Sequence, residues 1–146
     1  MVRLGHRQQR DKRITSHLGL TARAMGASHF VLCGDDDEKV LETLADVTET
    51  FGGQFTAEYQ GKPLGYLRHF AKQGGQIVHL TMYGEDFQST TPKIPTDAPI
   101  AVVVGGAKVP GEIYKLAKYN IAVGHQPHSE VAALALFMSE LMGGVA

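Results

Sequence analysis

The chain has 146 residues, a hydrophobic fraction of 43% and a formal net charge of −1 at pH 7. These values predict one globular domain with a substantial core, and the overall charge favours no class of partner. A membrane-spanning protein is not expected, since no apolar run approaches the roughly 18 residues of a span. A disulfide framework within the chain is excluded, because Cys33 is the only cysteine.

Short apolar runs alternate with segments of helical periodicity along the whole chain. The predicted strands cover residues 2–4, 30–33, 55–59, 77–81, 100–104 and 121–123. The predicted helices cover residues 14–25, 40–51, 63–73, 109–117 and 129–142, and 85–99 is predicted to be a loop. This alternation predicts an α/β fold, with a mainly parallel sheet and helices on both faces, as a single domain over 1–146.

The charges are unevenly distributed near the N-terminus. Residues 1–23 carry six basic side chains and one acidic side chain, whereas residues 35–50 carry seven acidic and one basic. The cluster Arg7, Arg10, Lys12 and Arg13 is typical of a phosphate-contact surface. No aromatic residue interrupts it, so base stacking is not expected there. A solvated basic loop is the alternative.

Three predicted strands lead into glycine-bearing loops in the second half, over residues 78–84, 101–110 and 119–135. Ligands of α/β sheets bind outside the carboxyl ends of strands, so the three exits predict one composite pocket. The middle loop matches neither nucleotide motif, because Lys108 lacks the P-loop frame and the Gly-x-Gly-x-x-Gly spacing is absent. An ordinary tight turn with Pro110 in the first helical turn remains the alternative.

The histidine and cysteine residues give weaker indications of a functional site. His125 and His128 stand three apart with Glu130 beyond, but no third ligand follows at a recognised metal spacing. Although His79 could lie nearby, we expect no metal and a histidine pair that bonds the loop. Cys33 ends an apolar run, so it is expected to be a buried small hydrophobe. A lone cysteine is typical of a reducing cytosol and favours a cytoplasmic protein.

Segments 3–13 and 16–26 resemble the opening motif of the archaeal tRNA (cytidine-56) ribose 2'-O-methyltransferases, of the SPOUT superfamily. Segments 79–84, 103–110 and 119–135 resemble other blocks of that family, most specifically Gln126-Pro-His-Ser-Glu-Val-Ala-Ala. The resemblance implies a SPOUT-type fold with a C-terminal trefoil knot, a homodimer, S-adenosylmethionine as cofactor and tRNA as substrate. The reaction it implies is an in-line attack of the ribose hydroxyl on a sulfonium methyl group, without a metal.

The resemblance also assigns site residues. Those implied to bind the cofactor are Leu80, Thr81, Met82, Gly84, Gly105, Gly106, Lys108, Ile121, Val123, Gly124, Pro127, His128, Ser129 and Val131. Related ribose methyltransferases carry a catalytic arginine where Leu20 stands, so the implied source is the basic loop, with Arg13 favoured over Arg10 and Arg7. Ser129 is expected to orient the ribose or the arginine. Because arginine stays protonated, its expected role is to bind phosphate and stabilise the developing alkoxide.

Three alternatives remain open at this stage. The chain could be a non-catalytic RNA- or nucleotide-binding α/β module. It could be a SPOUT methyltransferase with a different RNA target. The third alternative is an α/β domain without a small-molecule site.

Overall fold

The computed structural model describes residues 1–106 and 108–144. The strands are β1 (Val2–His6), β2 (His29–Gly34), β3 (Thr56–Tyr59), β4 (Gln76–Asp86), β5 (Ile100–Val104) and β6 (Tyr119–Ala122). The helices are α1 (Lys12–Ala24), α2 (Glu38–Phe51), α3 (Pro63–Lys72), α4 (Phe87–Thr90), α5 (Gly111–Leu116) and α6 (Glu130–Met142), with a 3-10 turn at Thr91–Lys93. The predicted α/β class is confirmed.

All six strands run parallel, in the order β3-β2-β1-β5-β4-β6. The connection that leaves β1 leads to β2 on one side, and the connection that leaves β5 leads to β6 on the other. The boundary between β1 and β5 is therefore a topological switch point, where Arg3 pairs with Val104. Open α/β sheets bind ligands at such a point, at the carboxyl ends of the strands.

Helices cover both faces of the sheet. The core on one face joins α1, α2 and α6 to Phe30 and Leu32 of β2, and the other joins α3 and α5 to Val31 and Cys33. Side chains of successive strand residues point to opposite faces, so a run buried on both faces is apolar throughout. Cys33 is fully buried, as expected, and burial raises its pKa to about 12.

Strand β4 extends five residues beyond the predicted end at residue 81 and meets β6 twice. Ile121 pairs with Leu80 and again with Glu85. A Cβ atom on Gly84 would lie 2.5 Å from the carbonyl carbon of Asn120, so only glycine lets the chain pass this close to the β6 backbone. The trefoil knot implied by the resemblance stays a prediction.

Other differences from the sequence-based boundaries have local causes. The segment predicted as a loop, 85–99, contains α4, whose four residues are too few to show a helical period. Helix α1 begins at Lys12, two residues before the predicted start at residue 14, and the buried Thr15 hydroxyl in its first turn bonds Arg3 and His6. Phe51 is apolar and ends the predicted helix 40–51, yet it is 76% exposed at the end of α2.

Candidate functional site

A cavity of about 350 Å³ opens at the carboxyl ends of β4, β5 and β6, beside the switch point. Small-molecule sites commonly have a volume of roughly 300–1,000 Å³. All three glycine-bearing strand exits contribute to its walls, as expected. The residues assigned to the cofactor that line it are Leu80, Thr81, Met82, Gly105, Gly106, Val123, Gly124, Pro127, His128 and Ser129.

The remaining residues assigned to the cofactor lie outside the cavity lining. Ile121 is fully buried in the core, and Val131 packs against the same core. Gly84 lies against the β6 backbone, and Lys108 is exposed on the loop after β5. These residues shape or flank the site, and the structure gives no cavity contact for them.

The wall formed by residues 79–83 of β4 is fixed by hydrogen bonds to α5, to β6 and to the loop after β6. The Thr81 hydroxyl lies 3.1 Å from the Tyr114 hydroxyl, and His125 Nδ1 lies 3.0 Å from the Met82 carbonyl oxygen. His79 Nδ1 lies 2.9 Å from Asn120 Oδ1. Burial lowers the pKa of His79, only partly offset by that hydrogen bond, so the ring is neutral at pH 7.

The wall that follows β5 is built from glycine backbone. A Cβ atom on Gly105 would lie 2.1 Å from a methyl group of Val109, so a larger residue would require the Val109 side chain to move. A Cβ atom on Gly106 would lie 3.3 Å from the Gly5 carbonyl oxygen, in the loop after β1. The exposed backbone of this turn can therefore approach a ligand closely.

The wall that follows β6 turns at Gly124, whose φ is 79°, in the left-handed region that favours glycine. His128 bonds the Val123 carbonyl oxygen through Nε2 and the Ser129 carbonyl oxygen through Nδ1. Both acceptors favour a protonated ring, and these hydrogen bonds raise the pKa of His128. The Ser129 hydroxyl accepts a hydrogen bond from the Val131 amide at 3.2 Å and caps α6. Its own proton remains available for donation.

Arg3 joins this cavity to the basic loop. It is 1% exposed, and its Nη1 donates to the Gly105 carbonyl oxygen at 3.0 Å and to Glu130 Oε2 at 3.1 Å. Its Nη2 lies 3.7 Å from Asp11 Oδ2, and its Nε donates to the Thr15 hydroxyl at 3.2 Å. Burial raises the pKa of Glu130, and the neighbouring charge of Arg3 only partly offsets the shift.

A second buried polar cluster continues from Thr15. Its hydroxyl lies 2.7 Å from His6 Nδ1, and His6 Nε2 lies 2.9 Å from Asp37 Oδ2. Lys12 donates to both oxygens of Asp37 at 2.8 and 2.9 Å. Burial acts to raise the pKa of Asp37, but the hydrogen bonds from Lys12 and His6 outweigh it, and the pKa lies below its usual value. The cluster fixes the start of α1 against the sheet.

The expected catalytic arginines differ in their surroundings. Arg7 forms a bidentate pair with Asp11, with Nε to Oδ2 at 2.9 Å and Nη2 to Oδ1 at 3.2 Å. Arg10 and Arg13 are exposed, and neither side chain makes a hydrogen bond or ion pair with residues 1–106 or 108–144. Arg10 and Arg13 are therefore the guanidinium groups of this loop that are available to an anion.

Sequence reasoning assigned no functional role to Arg3 or to several residues of the cavity walls. A lone arginine between Val2 and Leu4 in a buried strand was the available signal, since a buried charge requires a partner. Glu130 was considered beside the histidine pair and as part of a helix start, but it was assigned no role in the site. The other cavity residues that were not assigned are His79, Tyr83, Val104, Val109, Tyr114, Gln126 and Ala133.

The described residues contain neither a metal-binding group nor a membrane-spanning helix. No group of three His, Cys, Asp or Glu side chains within 1–106 and 108–144 is arranged to hold a metal ion. In the same part of the chain, no helix has the length and apolarity to cross a membrane.

Comparison with known proteins identifies relatives over the full length. Residues 51–146 match the family described as tRNA ribose 2'-O-methyltransferase, aTrm56. A relative from Methanopyrus kandleri, named tRNA (cytidine(56)-2'-O)-methyltransferase, is 47% identical over 144 residues, which are 99% of this chain and 81% of the relative. A relative of the same name from Thermococcus kodakarensis is 47% identical over 148 residues, covering 99% and 82%.

Solved structures share the fold at low sequence identity. The A. aeolicus TrmH/SpoU tRNA modifying enzyme superposes with a TM-score of 0.72 at 16% identity, over 97% of this chain and 72% of that one. The SpoU methyltransferase AviRb from Streptomyces viridochromogenes, in complex with the cofactor AdoMet, gives a TM-score of 0.67 at 14% identity, over 98% and 57%. This likeness establishes the SpoU-type fold that the resemblance implied.

Proposed function

This chain belongs to the aTrm56 family of tRNA ribose 2'-O-methyltransferases, and we propose that it methylates the 2'-hydroxyl of cytidine 56 of tRNA with S-adenosylmethionine. The proposal is supported by the position of the cavity beside the basic segment 7–13, where Arg10 in the loop and Arg13 in the first turn of α1 are exposed. Arg3 connects the two, because it contacts Asp11 in that loop and Gly105 and Glu130 in the cavity. A site for a small donor molecule is thus next to a surface for a phosphate backbone. We also propose that the protein acts in the cytoplasm, where a tRNA-modifying enzyme meets its substrate.

The cavity suits S-adenosylmethionine. Its apolar side chains, among them Leu80, Val104 and Val123, can cover an adenine ring, and the glycine turns can offer backbone groups to its edges. Gly105 lines the cavity and carries no side chain, so the ligand can approach the main chain there. When bound, the cofactor supplies a methyl group on a positively charged sulfur. The residues of this chain then have to exclude water and align the ribose.

The exposed guanidinium groups give the RNA surface. Arg13 lies in the first turn of α1 and Arg10 in the loop before it, and neither is neutralised by a carboxylate of the described chain. Each can bind a phosphate beside the target ribose and stabilise charge that develops on the 2'-oxygen. We assign this role to Arg13 first, with Arg10 as the alternative. Arg7 is the weakest candidate, because Asp11 already occupies its guanidinium group.

We further propose a homodimer and a trefoil knot. Helix α6 is apolar around much of its circumference, and its Leu136 and Met142 are 52% and 55% exposed. Such a surface is suited to a second copy of the chain, whose arginine can then reach this cavity. Light scattering on the wild type and on Leu136→Glu tests the dimer. We expect a dimeric wild type and a weakened dimer for Leu136→Glu, and a monomeric wild type would contradict the proposal.

The double pairing of Ile121 with Leu80 and Glu85 supports the knot.

The test of the function uses two tRNA transcripts that differ in one oxygen atom. The protein is incubated with methyl-labelled S-adenosylmethionine and an archaeal tRNA transcript, or with the same transcript carrying 2'-deoxycytidine at position 56. We expect label in the first transcript and none in the second. Label in both would move the target to another atom or nucleotide. No label in either, with tRNA bound, would favour a non-catalytic RNA-binding module.

A further inference from the structure

The described cavity contains one carboxylate, that of Glu130. It lies at the first position of α6, directly after Ser129, and its side chain is 29% exposed. Oε2 accepts a hydrogen bond from buried Arg3 at 3.1 Å. Within 1–106 and 108–144, Oε1 has no hydrogen-bond donor. One oxygen therefore fixes the carboxylate in place while the other is left for a ligand.

The other titratable side chains of the cavity are poor proton acceptors. Both ring nitrogens of His128 are directed at carbonyl oxygens, so both act as donors. His79 is 1% exposed and is hydrogen bonded to Asn120. Tyr114 is hydrogen bonded to Thr81. Tyr83 carries a phenol and no carboxylate or imidazole, and the arginines of the basic loop have no acceptor atom.

We propose that Glu130 is the catalytic residue that accepts the proton of the ribose 2'-hydroxyl, with Arg3 as the residue that positions it. This inference rests on the proposed function. The 2'-oxygen forms a bond to the methyl carbon while the bond from that carbon to sulfur breaks, and the electron pair stays on sulfur. The hydroxyl proton passes to Oε1 of Glu130 and then to water. The neutral thioether and the methylated ribose leave, so charge and atoms balance.

The surroundings of Glu130 suit this role. A base should have a pKa nearer the working pH than a free carboxylate has, and burial shifts that of Glu130 upward. The charged groups that face it are Arg3, Arg7 and Asp11. Arg3 keeps the carboxylate ionised, and because it is buried and has three other partners it cannot leave to neutralise the RNA.

The test compares Glu130→Gln, Glu130→Asp and the control Glu42→Gln, which alters an exposed glutamate of α2. Single-turnover methyl transfer is measured with saturating tRNA and cofactor between about pH 5 and 9, and cofactor affinity is measured by calorimetry. Glu130→Gln should slow transfer by about a hundredfold or more, while cofactor affinity and melting temperature stay close to wild type. Glu130→Asp should recover part of the rate. The control should match the wild type.

The pH dependence separates catalysis from structure. Wild-type rates should rise with pH and reach a plateau, whereas Glu130→Gln should lose the plateau. Carbon-13 NMR of glutamate-labelled protein, with Glu130→Gln as the assignment reference, should show a Glu130 midpoint that coincides with the wild-type acid limb. A Glu130→Gln rate within threefold of wild type, an equal loss of cofactor affinity, or a midpoint away from the limb would overturn the proposal. A wild type without transfer would instead count against the proposed function. If Glu130→Gln does not fold, Glu130→Asp replaces it as the assignment reference, and the wild-type profile and the NMR midpoint decide.

Discussion

Arg3 and Glu130 are 127 residues apart in the chain, yet Nη1 of Arg3 donates a hydrogen bond to Oε2 of Glu130 at 3.1 Å. The pair connects the first strand of the sheet to the first turn of α6. Because Arg3 also bonds the Gly105 carbonyl oxygen, one side chain holds two walls of the cavity together. The integrity of the site therefore depends on a residue that does not line it.

Replacing Arg3 by methionine should be strongly destabilising. The change leaves Glu130 and Asp11 without their buried cationic partner, and loss of one partner of a buried pair costs about 3–5 kcal/mol. Urea denaturation measures the free energy of unfolding. The matched control is Arg68→Met, because Arg68 pairs with Glu112 at the surface. Loss of this exposed pair should lower the free energy of unfolding by no more than about 1 kcal/mol. Equal losses in the two variants would contradict the assignment of Arg3 as a buried connector.

Asp37 should make stability depend on pH in the acid range. Its pKa in the folded state lies below the usual 3.8, because the donors Lys12 and His6 favour the carboxylate. The contribution of Asp37 to the free energy of unfolding is therefore present above pH 3.8 and is lost as the pH falls through the folded-state pKa. The difference in unfolding free energy between wild type and Asp37→Asn should narrow below about pH 4. For Asp46→Asn, on the exposed side of α2, the difference should stay flat. A pH-independent gap for Asp37→Asn would refute the linkage.

Gly84→Ala should destabilise the close contact between β4 and β6. The new Cβ would lie 2.5 Å from three backbone atoms of Asn120 and Ile121, which cannot move aside as a side chain could. We expect a loss of about 1–3 kcal/mol in unfolding free energy. Gly65→Ala is the control, since nothing lies within 4 Å of its Cβ and alanine favours a helix. A neutral Gly84→Ala would show that the chain is not closely packed there.

Gly124→Val should weaken cofactor binding. Valine is poorly tolerated at a φ of 79°, so the loop that carries Val123 and His128 has to move. We expect the S-adenosylmethionine dissociation constant to rise by about tenfold, equivalent to about 1.4 kcal/mol. Gly53→Val imposes the same backbone conflict, at a φ of 97°, outside the cavity and should leave affinity unchanged. Calorimetry that shows unchanged affinity for Gly124→Val would remove this residue from the site.

Arg13→Ala should slow methyl transfer while cofactor affinity stays within a few-fold. Loss of one group that stabilises charge in a transition state typically costs about a hundredfold in rate. The same change at Arg10 tests the alternative assignment, and Lys39→Ala, an exposed cation on α2, is the control. An equal loss of cofactor affinity in Arg13→Ala would show that the arginine is structural.

Sequence reasoning succeeded where the pattern is local. Residues 100–104 are apolar throughout, so β5 was predicted to the residue. Ser129 and Glu130 marked the start of α6, because a serine cap and an acidic first turn are features of neighbouring residues. The glycine-bearing exits of three strands predicted the cavity, because parallel strands end at the same edge of a sheet.

Prediction from the sequence failed where a local structure depends on residues far away in the chain. The end of β4 is polar, and pairing with β6 makes it a strand. The position of Arg3 gives no sign of a carboxylate 127 residues later. The hydrogen bonds of the Thr15 hydroxyl to Arg3 and His6 likewise cannot be predicted from local sequence. Strand order likewise follows from packing between segments, which periodicity does not encode.

The double pairing of β6 with β4 also constrains the timing of folding. Both pairings join segments that are far apart in the chain, because Ile121 follows Leu80 by 41 residues and Glu85 by 36. Contacts between such distant segments form slowly. Since residues 123–133 supply one wall of the cavity, a refolding chain should acquire most of its sheet before it can bind the methyl donor. Binding competence would then lag behind secondary structure.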